Sequence, residues 1–278
     1  MPTEVLLAVL FAAAMHAGWN ALVKINAEPI IAMGLIMLCT SLVALVFIPF
    51  VDFPTPEIWP FLLVTLVLHF GYKYYLVKAY AQGDFGQIYP IARGSGPLWV
   101  LLLSLVVFDV TFSGTQIIAI ILIIFGIASL AHFQPVKSSN SGIYFALVTG
   151  MWIAGYTMVD GYVVNQIGQL QSYVVWLFFF DGLIAAVWAY QYSSRVFLNS
   201  LSQHWFVAIG GGLMSIAAYA LCLWAMTQAP VAMVAALRET SVLFGAMLGS
   251  WLFKEAFGTR RWACAAFIFS GLVLVKLS

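Results

Sequence analysis

Charged side chains within long apolar segments are the residues of this chain that could do chemistry. Three cations and three acids are of this kind: Lys73, Arg93, Arg238, Asp160, Asp181 and Glu239. A charge at the centre of a membrane helix costs about 2.5–3.5 kcal/mol, so such residues are usually paired, cavity-lining or functional. They therefore either neutralise one another in structural pairs or bind a polar ligand. The arginines favour an anionic ligand, because a guanidinium keeps its charge and offers a planar fork to carboxylate or phosphonate.

Polar and aromatic residues recur near these charges at helical spacing. His16 and Asn20 are four residues apart, as are Tyr156 and Asp160, so each pair lies on one face of a helix. Polar faces on otherwise apolar helices point inward, which predicts a central cavity. The candidate substrate-binding residues are His16, Trp19, Asn20, His69, Tyr72, Lys73, Arg93, Tyr156, Asp160, Tyr219, Arg238 and Glu239. For each aromatic member, ordinary packing is an equal alternative.

The composition indicates a membrane protein. Hydrophobic residues make up 64% of the chain and charged residues 8%, with a mean hydropathy of +1.03, so there are too few charges to cover a soluble domain. A spanning helix needs about 20 apolar residues. Ten segments satisfy this length, at about 4–24, 30–50, 58–80, 87–108, 115–132, 142–165, 170–193, 204–228, 231–253 and 258–277. Segments 1, 3, 4, 6, 8 and 9 carry the polar faces and are expected to surround the cavity.

The two halves of the chain resemble each other. Arg93 and Gly126 recur 145 positions later as Arg238 and Gly271, which indicates a duplication. Five segments per half is an odd number, so the two halves are inverted in the membrane. The prediction is an all-α membrane protein with ten transmembrane helices in two inverted repeats, residues 1–134 and 142–278, joined by a linker at 135–141. In this arrangement the two arginines point to opposite membrane faces and gate or bind from opposite ends of one lumen.

Other classes of protein find little support. No basic run suggests nucleic acid as a partner, and no zinc-protease, phosphate-loop or paired nucleophile motif suggests an enzyme. The three cysteines, Cys39, Cys222 and Cys264, are far apart in apolar segments and are interpreted as small core residues, with no metal site and no cofactor expected. Apart from the three cations embedded in the apolar segments, all basic residues except Lys276 lie in or beside the odd-numbered connections. This bias places those connections in the cytoplasm and both termini outside.

The end of the chain resembles a known family. Leu248 to Val275 is similar to the glycine, acidic residue, short loop, final helix and late glycine of the EamA-type members of the drug/metabolite transporter superfamily, with Glu255 at the acidic position and Gly271 as the late glycine. Gly96 and Pro97 resemble the small residue and proline of the family's fourth span.

The resemblance implies a bacterial inner-membrane, multi-pass carrier that moves small polar metabolites by alternating access. Amino-acid-like, carboxylate or phosphonate compounds are the expected substrates. A membrane enzyme or a lipid-handling protein on the same scaffold is the alternative. The expected partners are the bilayer and a small-molecule substrate, with a monomer or a homodimer formed through the outer segments 5 and 10. The particular substrate and the direction of transport remain open, as does coupling to protons.

Overall fold

The computed structural model describes most of the chain. The described residues are 1–25, 28–83, 85, 88–89, 91–96, 99–100, 113–132, 139–252, 263–264, 266–267, 270–271 and 274. Within them the secondary structure is entirely helical. The helices are α1 Thr3–Ile25, α2 Pro29–Phe47, α3 Trp59–Ala81, α4 Gly114–His132, α5 Asn140–Tyr162, α6 Leu170–Tyr192, α7 Ser194–Gln203, α8 Trp205–Met226, α9 Val231–Arg238 and α10 Ser241–Leu252. Residues 91–96 are also helical.

Six of the described helices are long and apolar enough to cross a membrane: α1, α2, α3, α5, α6 and α8. Large apolar side chains on their outer faces are exposed, as at Val67 on α3 and Leu213 on α8. Helices satisfy their own backbone hydrogen bonds, so they can present such faces to hydrocarbon. The described part of the chain is therefore an all-helical, multi-pass membrane protein.

Two features of the chain differ from the predicted segments. The ninth segment is interrupted: α9 ends at Arg238 and α10 begins at Ser241, because Glu239 and Thr240 make tight i→i−3 bonds to the carbonyls of Ala236 and Leu237. The second difference is the short helix α7, where the sequence predicted only a connection. The predicted segments 87–108 and 258–277 lie largely outside the described residues.

Pairs of helices pack closely to form the frame of the site. α2 packs on α6, α3 on α5, and α1 on α8. The absence of a side chain at Gly182 lets α6 approach the backbone of α2, and the Ser41 hydroxyl of α2 donates a 2.8 Å hydrogen bond to the Phe179 carbonyl of α6. These contacts hold the polar faces of six helices around one interior space.

The outer helix α4 has the exposure expected of the fifth segment. Ile118, Ile121 and Phe125 are each more than half exposed. Phe125 also contacts Phe267 of the tenth segment, with ring centroids 5.2 Å apart. Whether lipid or a second copy of the chain covers these side chains remains a prediction.

Candidate functional site

A cavity of about 40 Å³ lies between α1, α2, α3, α5, α6 and α8. Its wall consists of His16, Trp19, Met37, Thr40, His69, Tyr72, Lys73, Tyr156, Phe178, Asp181, Ser215 and Tyr219. All of these except Met37, Thr40, Phe178, Asp181 and Ser215 belong to the candidate set from the sequence. The prediction of which helices surround the cavity was incomplete, because α2 and α6 also contribute. Their polar wall residues are isolated in apolar sequence and form no stripe, although Asp181 was recognisable as an embedded charge.

The wall of the cavity contains an ion pair. Lys73 on α3 donates to both carboxylate oxygens of Asp181 on α6, at 2.5 and 2.6 Å. Lys73 is 2% exposed and Asp181 is 6% exposed. Each charge is buried, so each depends on the other for compensation. A ligand that carries both a positive and a negative group could separate Lys73 from Asp181 and still give each residue a partner of opposite charge.

Asp160 on α5 lies at the centre of a hydrogen-bond cluster beside the cavity. Its carboxylate accepts from the hydroxyls of Thr65 and Tyr173, each at 2.5 Å, and from the hydroxyl of Tyr219. His69 Nε2 lies 3.2 Å from the same carboxylate. His69 and Tyr219 are wall residues, so they separate Asp160 from the cavity. The carboxylate fixes the orientation of both side chains.

Aromatic rings cover this side of the cavity. The His69 ring stacks on Tyr156 at a centroid distance of 4.2 Å, and Tyr219 contacts both rings edge-on at 5.3 and 5.8 Å. Tyr72 meets Tyr156 at 5.6 Å in the same manner. These stacked and edge-to-face geometries are the ones that aromatic rings prefer, so the four rings pack together as one aromatic wall.

Arg93 and Arg238 share one carboxylate. Arg93 Nε lies 2.7 Å from one oxygen of Glu239, and Arg238 Nε lies 3.4 Å from the other. The prediction that the two arginines sit near opposite membrane faces is therefore wrong. If the halves are inverted as predicted, equivalent residues would still meet wherever both lie near the axis relating the halves. Sequence equivalence alone therefore predicts no separation. The interruption after Arg238 allows Glu239 to turn towards both guanidinium groups.

The remaining candidate from the sequence, Asn20, does not line the cavity. It is fully buried, donates to the His16 carbonyl at 2.9 Å and accepts from the Tyr80 hydroxyl at 3.0 Å. Nearby, Lys24 Nζ donates to the Tyr80 and Gly83 carbonyls. In this structure Asn20 and Lys24 connect α1 to the end of α3.

No group of three or more His, Cys, Asp or Glu side chains among the described residues is placed to hold an ion. Cys39, Cys222 and Cys264 are free thiols.

The fold and the cavity define a class: a multi-pass helical membrane protein with a polar site between its helices. The family model of the EamA-like transporter family matches residues 140–277, and the chain belongs to this family, within the drug/metabolite transporter superfamily. Members of the family are generally membrane transporters rather than enzymes.

A solved crystal structure of a protein shares the fold. It aligns over 99% of this chain and 96% of its own, with a TM-score of 0.74 and 13% sequence identity. At this identity the likeness shows the fold alone. A comparison with curated protein sequences gives no match.

Proposed function

We propose that this protein is a secondary transporter that moves small zwitterionic metabolites across a bacterial inner membrane by alternating access. The observation that carries the proposal is the buried Lys73–Asp181 ion pair in the wall of a cavity between six helices. Ten helices in two inverted repeats, residues 1–134 and 142–278, are the architecture in which we expect this site to work. Membership of a transporter family supports the proposal.

The chemistry of the wall favours a substrate with both signs of charge. The Lys73 ammonium suits a carboxylate or phosphonate, and the Asp181 carboxylate suits an amine. A substrate carrying both groups would exchange one buried ion pair for two, so neither protein charge would lose its compensation. Amino acids and aminophosphonates have this pattern. The aromatic wall residues would contact the apolar part of such a molecule.

The size of the cavity links substrate binding to a conformational change. A single water needs a cavity volume of at least about 10–15 Å³ on the same measure. The cavity of about 40 Å³ therefore holds a few waters and is too small for an amino acid. A substrate must therefore widen the cavity and separate Lys73 from Asp181. Binding that favours a wider conformation shifts the population towards it, which is the requirement for alternating access.

Substrate counterflow in proteoliposomes tests the proposal. The probes are radiolabelled zwitterionic amino acids and 2-aminoethylphosphonate, each with the unlabelled compound inside. We expect saturable counterflow of at least one probe, and its loss in Lys73→Met. The matched control is Lys78→Met, which removes the same charge from the same helix, where Lys78 lies over the Tyr74 ring outside the cavity wall.

Two outcomes would overturn the proposal. One is the absence of saturable counterflow for every zwitterion, and the other is an equal loss in Lys73→Met and Lys78→Met. Chemical conversion of a probe without net flux would support the membrane enzyme instead.

A further inference from the structure

The cluster of Arg93, Arg238 and Glu239 has more positive than negative charge. The three side chains are at most 2% exposed. Two guanidinium groups face one carboxylate, so the cluster carries a net charge of +1 when all three are ionised. In the described part of the chain, Glu239 is the one acid within ion-pair distance of either arginine. A buried charge without a partner is strongly unfavourable, so a bound anion would stabilise the excess positive charge.

The excess charge has unoccupied hydrogen-bond donors. Arg238 Nη2 donates to Thr157 Oγ1 at 3.1 Å, whereas both terminal nitrogens of Arg93 have no acceptor among the described residues. The Glu239 carboxylate and the Tyr156 hydroxyl lie close enough to Arg93 to interact with it, yet no hydrogen bond of good geometry reaches either terminal nitrogen. Arg93 Nε is close to Glu239 but is also misaligned for a hydrogen bond. Buried guanidinium donors are rarely left in this state.

Two further buried polar groups of the cavity wall have no hydrogen-bond partner. The Tyr72 hydroxyl and His16 Nε2 are buried and have no hydrogen-bond partner among the described residues. The Tyr72 ring contacts the Tyr156 ring at a centroid distance of 5.6 Å, and the Arg238 guanidinium lies 5.7 Å from the centre of that same Tyr156 ring. Tyr72 and His16 both line the cavity. The unpaired donors therefore lie just behind the cavity wall, and a small anion entering through the cavity could reach them.

We propose that Arg93, Arg238 and Tyr72 form an anion subsite at the inner wall of the cavity, which binds one monovalent anion. The ligand is a halide-like inorganic ion or the carboxylate of a bound organic molecule. An inorganic anion would bind whether or not the protein is a transporter. A substrate carboxylate would rest on the proposed function, and it would be a second acidic group of the substrate, beside the one that pairs with Lys73.

Anion-dependent thermal unfolding of the full-length protein in detergent tests the subsite. Sodium chloride and sodium acetate are titrated against sodium gluconate, whose carboxylate carries a hydroxylated chain too large for the cavity of about 40 Å³. The ionic strength is held constant, so that screening is equal in all three salts. We expect chloride or acetate to stabilise the protein with saturation. Stabilisation by chloride identifies an inorganic anion, and stabilisation by acetate alone identifies a carboxylate. Unfolding that is identical in all three salts would overturn the proposal.

Two charge variants should change the affinity for the anion in opposite directions. Arg93→Met leaves a neutral Arg238–Glu239 pair, so the apparent affinity for the anion should fall at least about tenfold. Glu239→Gln raises the local charge to +2, so the affinity should rise by a similar factor. Lys78→Met should leave the affinity unchanged, because the Lys78 ammonium lies over the Tyr74 and Phe145 rings and takes no part in the cluster. Weaker anion binding in Glu239→Gln would contradict the subsite.

Stability in gluconate provides a measurement that does not depend on anion binding. Arg93→Met removes an uncompensated buried charge, so this variant should unfold at the same or a higher temperature than the unchanged protein. A large loss of stability in gluconate would mean that the cluster is already electrostatically complete, and would overturn the proposal. Counterflow plays no part in these measurements, so failure of the subsite and failure of the transport proposal are distinguishable.

Discussion

The Lys73–Asp181 pair gives a prediction that separates stability from function. Lys73→Met leaves the Asp181 carboxylate buried without its cation, and Asp181→Leu leaves the Lys73 ammonium buried without its anion. The double variant removes both charges and keeps similar side-chain volumes. We therefore expect each single change to destabilise the protein strongly, and the double change to restore most of the stability.

The burial of the pair sets the magnitude. Both side chains are less than 10% exposed, and the two N–O distances are 2.5 and 2.6 Å. Breaking a buried pair of this kind costs about 3–5 kcal/mol, whereas replacing both partners by apolar residues is often neutral. Each single variant should thus lower the folded-to-unfolded ratio by roughly 10²- to 10³-fold or more, and the interaction energy of the cycle should be of the same order.

The assay combines reversible unfolding in mixed detergent with counterflow in proteoliposomes. The two single variants and the double variant are compared with the unchanged protein, and Lys78→Met serves as the control for loss of a lysine. We expect the double variant to be nearly as stable as the unchanged protein but inactive in counterflow. Additive destabilisation in the double variant would refute the coupling of the two charges. Normal counterflow in the double variant would refute their role in binding.

Two further predictions concern packing and topology. Gly182→Ala places a methyl group directly against the Met37 carbonyl oxygen, so α2 and α6 must move apart and the free energy of unfolding should fall by about 1–3 kcal/mol. In the control Gly114→Ala the methyl group meets no described atom within 4 Å, so this variant should be as stable as the unchanged protein. Equal stability of the two variants would contradict the close approach of α2 and α6. Reporters fused at Lys137 and Ser278, which lie outside the described residues, should be found on opposite sides of the membrane, with Lys137 cytoplasmic, because five predicted spans separate them. Both reporters on one side would remove the inverted repeat.

The break between α9 and α10 could not be predicted from the sequence. The segment from Val231 to Leu252 contains neither proline nor an interior glycine near Arg238, which are the usual signals for an interrupted helix. The turn depends on where Glu239 finds its partners, and Arg93 is distant in the chain. The short helix α7 did have a local signal, because Phe197 and Leu201 are four residues apart on one face. Phe197 is buried against Ile31 of α2 and its neighbours.

The pairing of charges across the bundle was equally hidden. Lys73 and Asp181 are separated by 108 positions, and three cations and three acids can be recognised in the apolar segments without any sign of which would meet. The three hydroxyl partners of Asp160 come from three other helices, α3, α6 and α8. A single sequence has no signal for such contacts, since they depend on the rotation and depth of each packed helix.

Composition and periodicity by themselves determined the class of this protein. So many apolar residues in segments of spanning length leave helices in a membrane as the stable solution, because hydrocarbon offers no partner to a free backbone group. The cost of burying charge likewise makes Lys73, Arg93, Asp160 and Arg238 candidates from their positions in the chain alone. Only the tertiary structure decided that Lys73 faces the cavity while the two arginines meet at Glu239. Helix packing fixes the direction of each side chain, and within a bundle that direction separates a wall residue from one buried behind the wall.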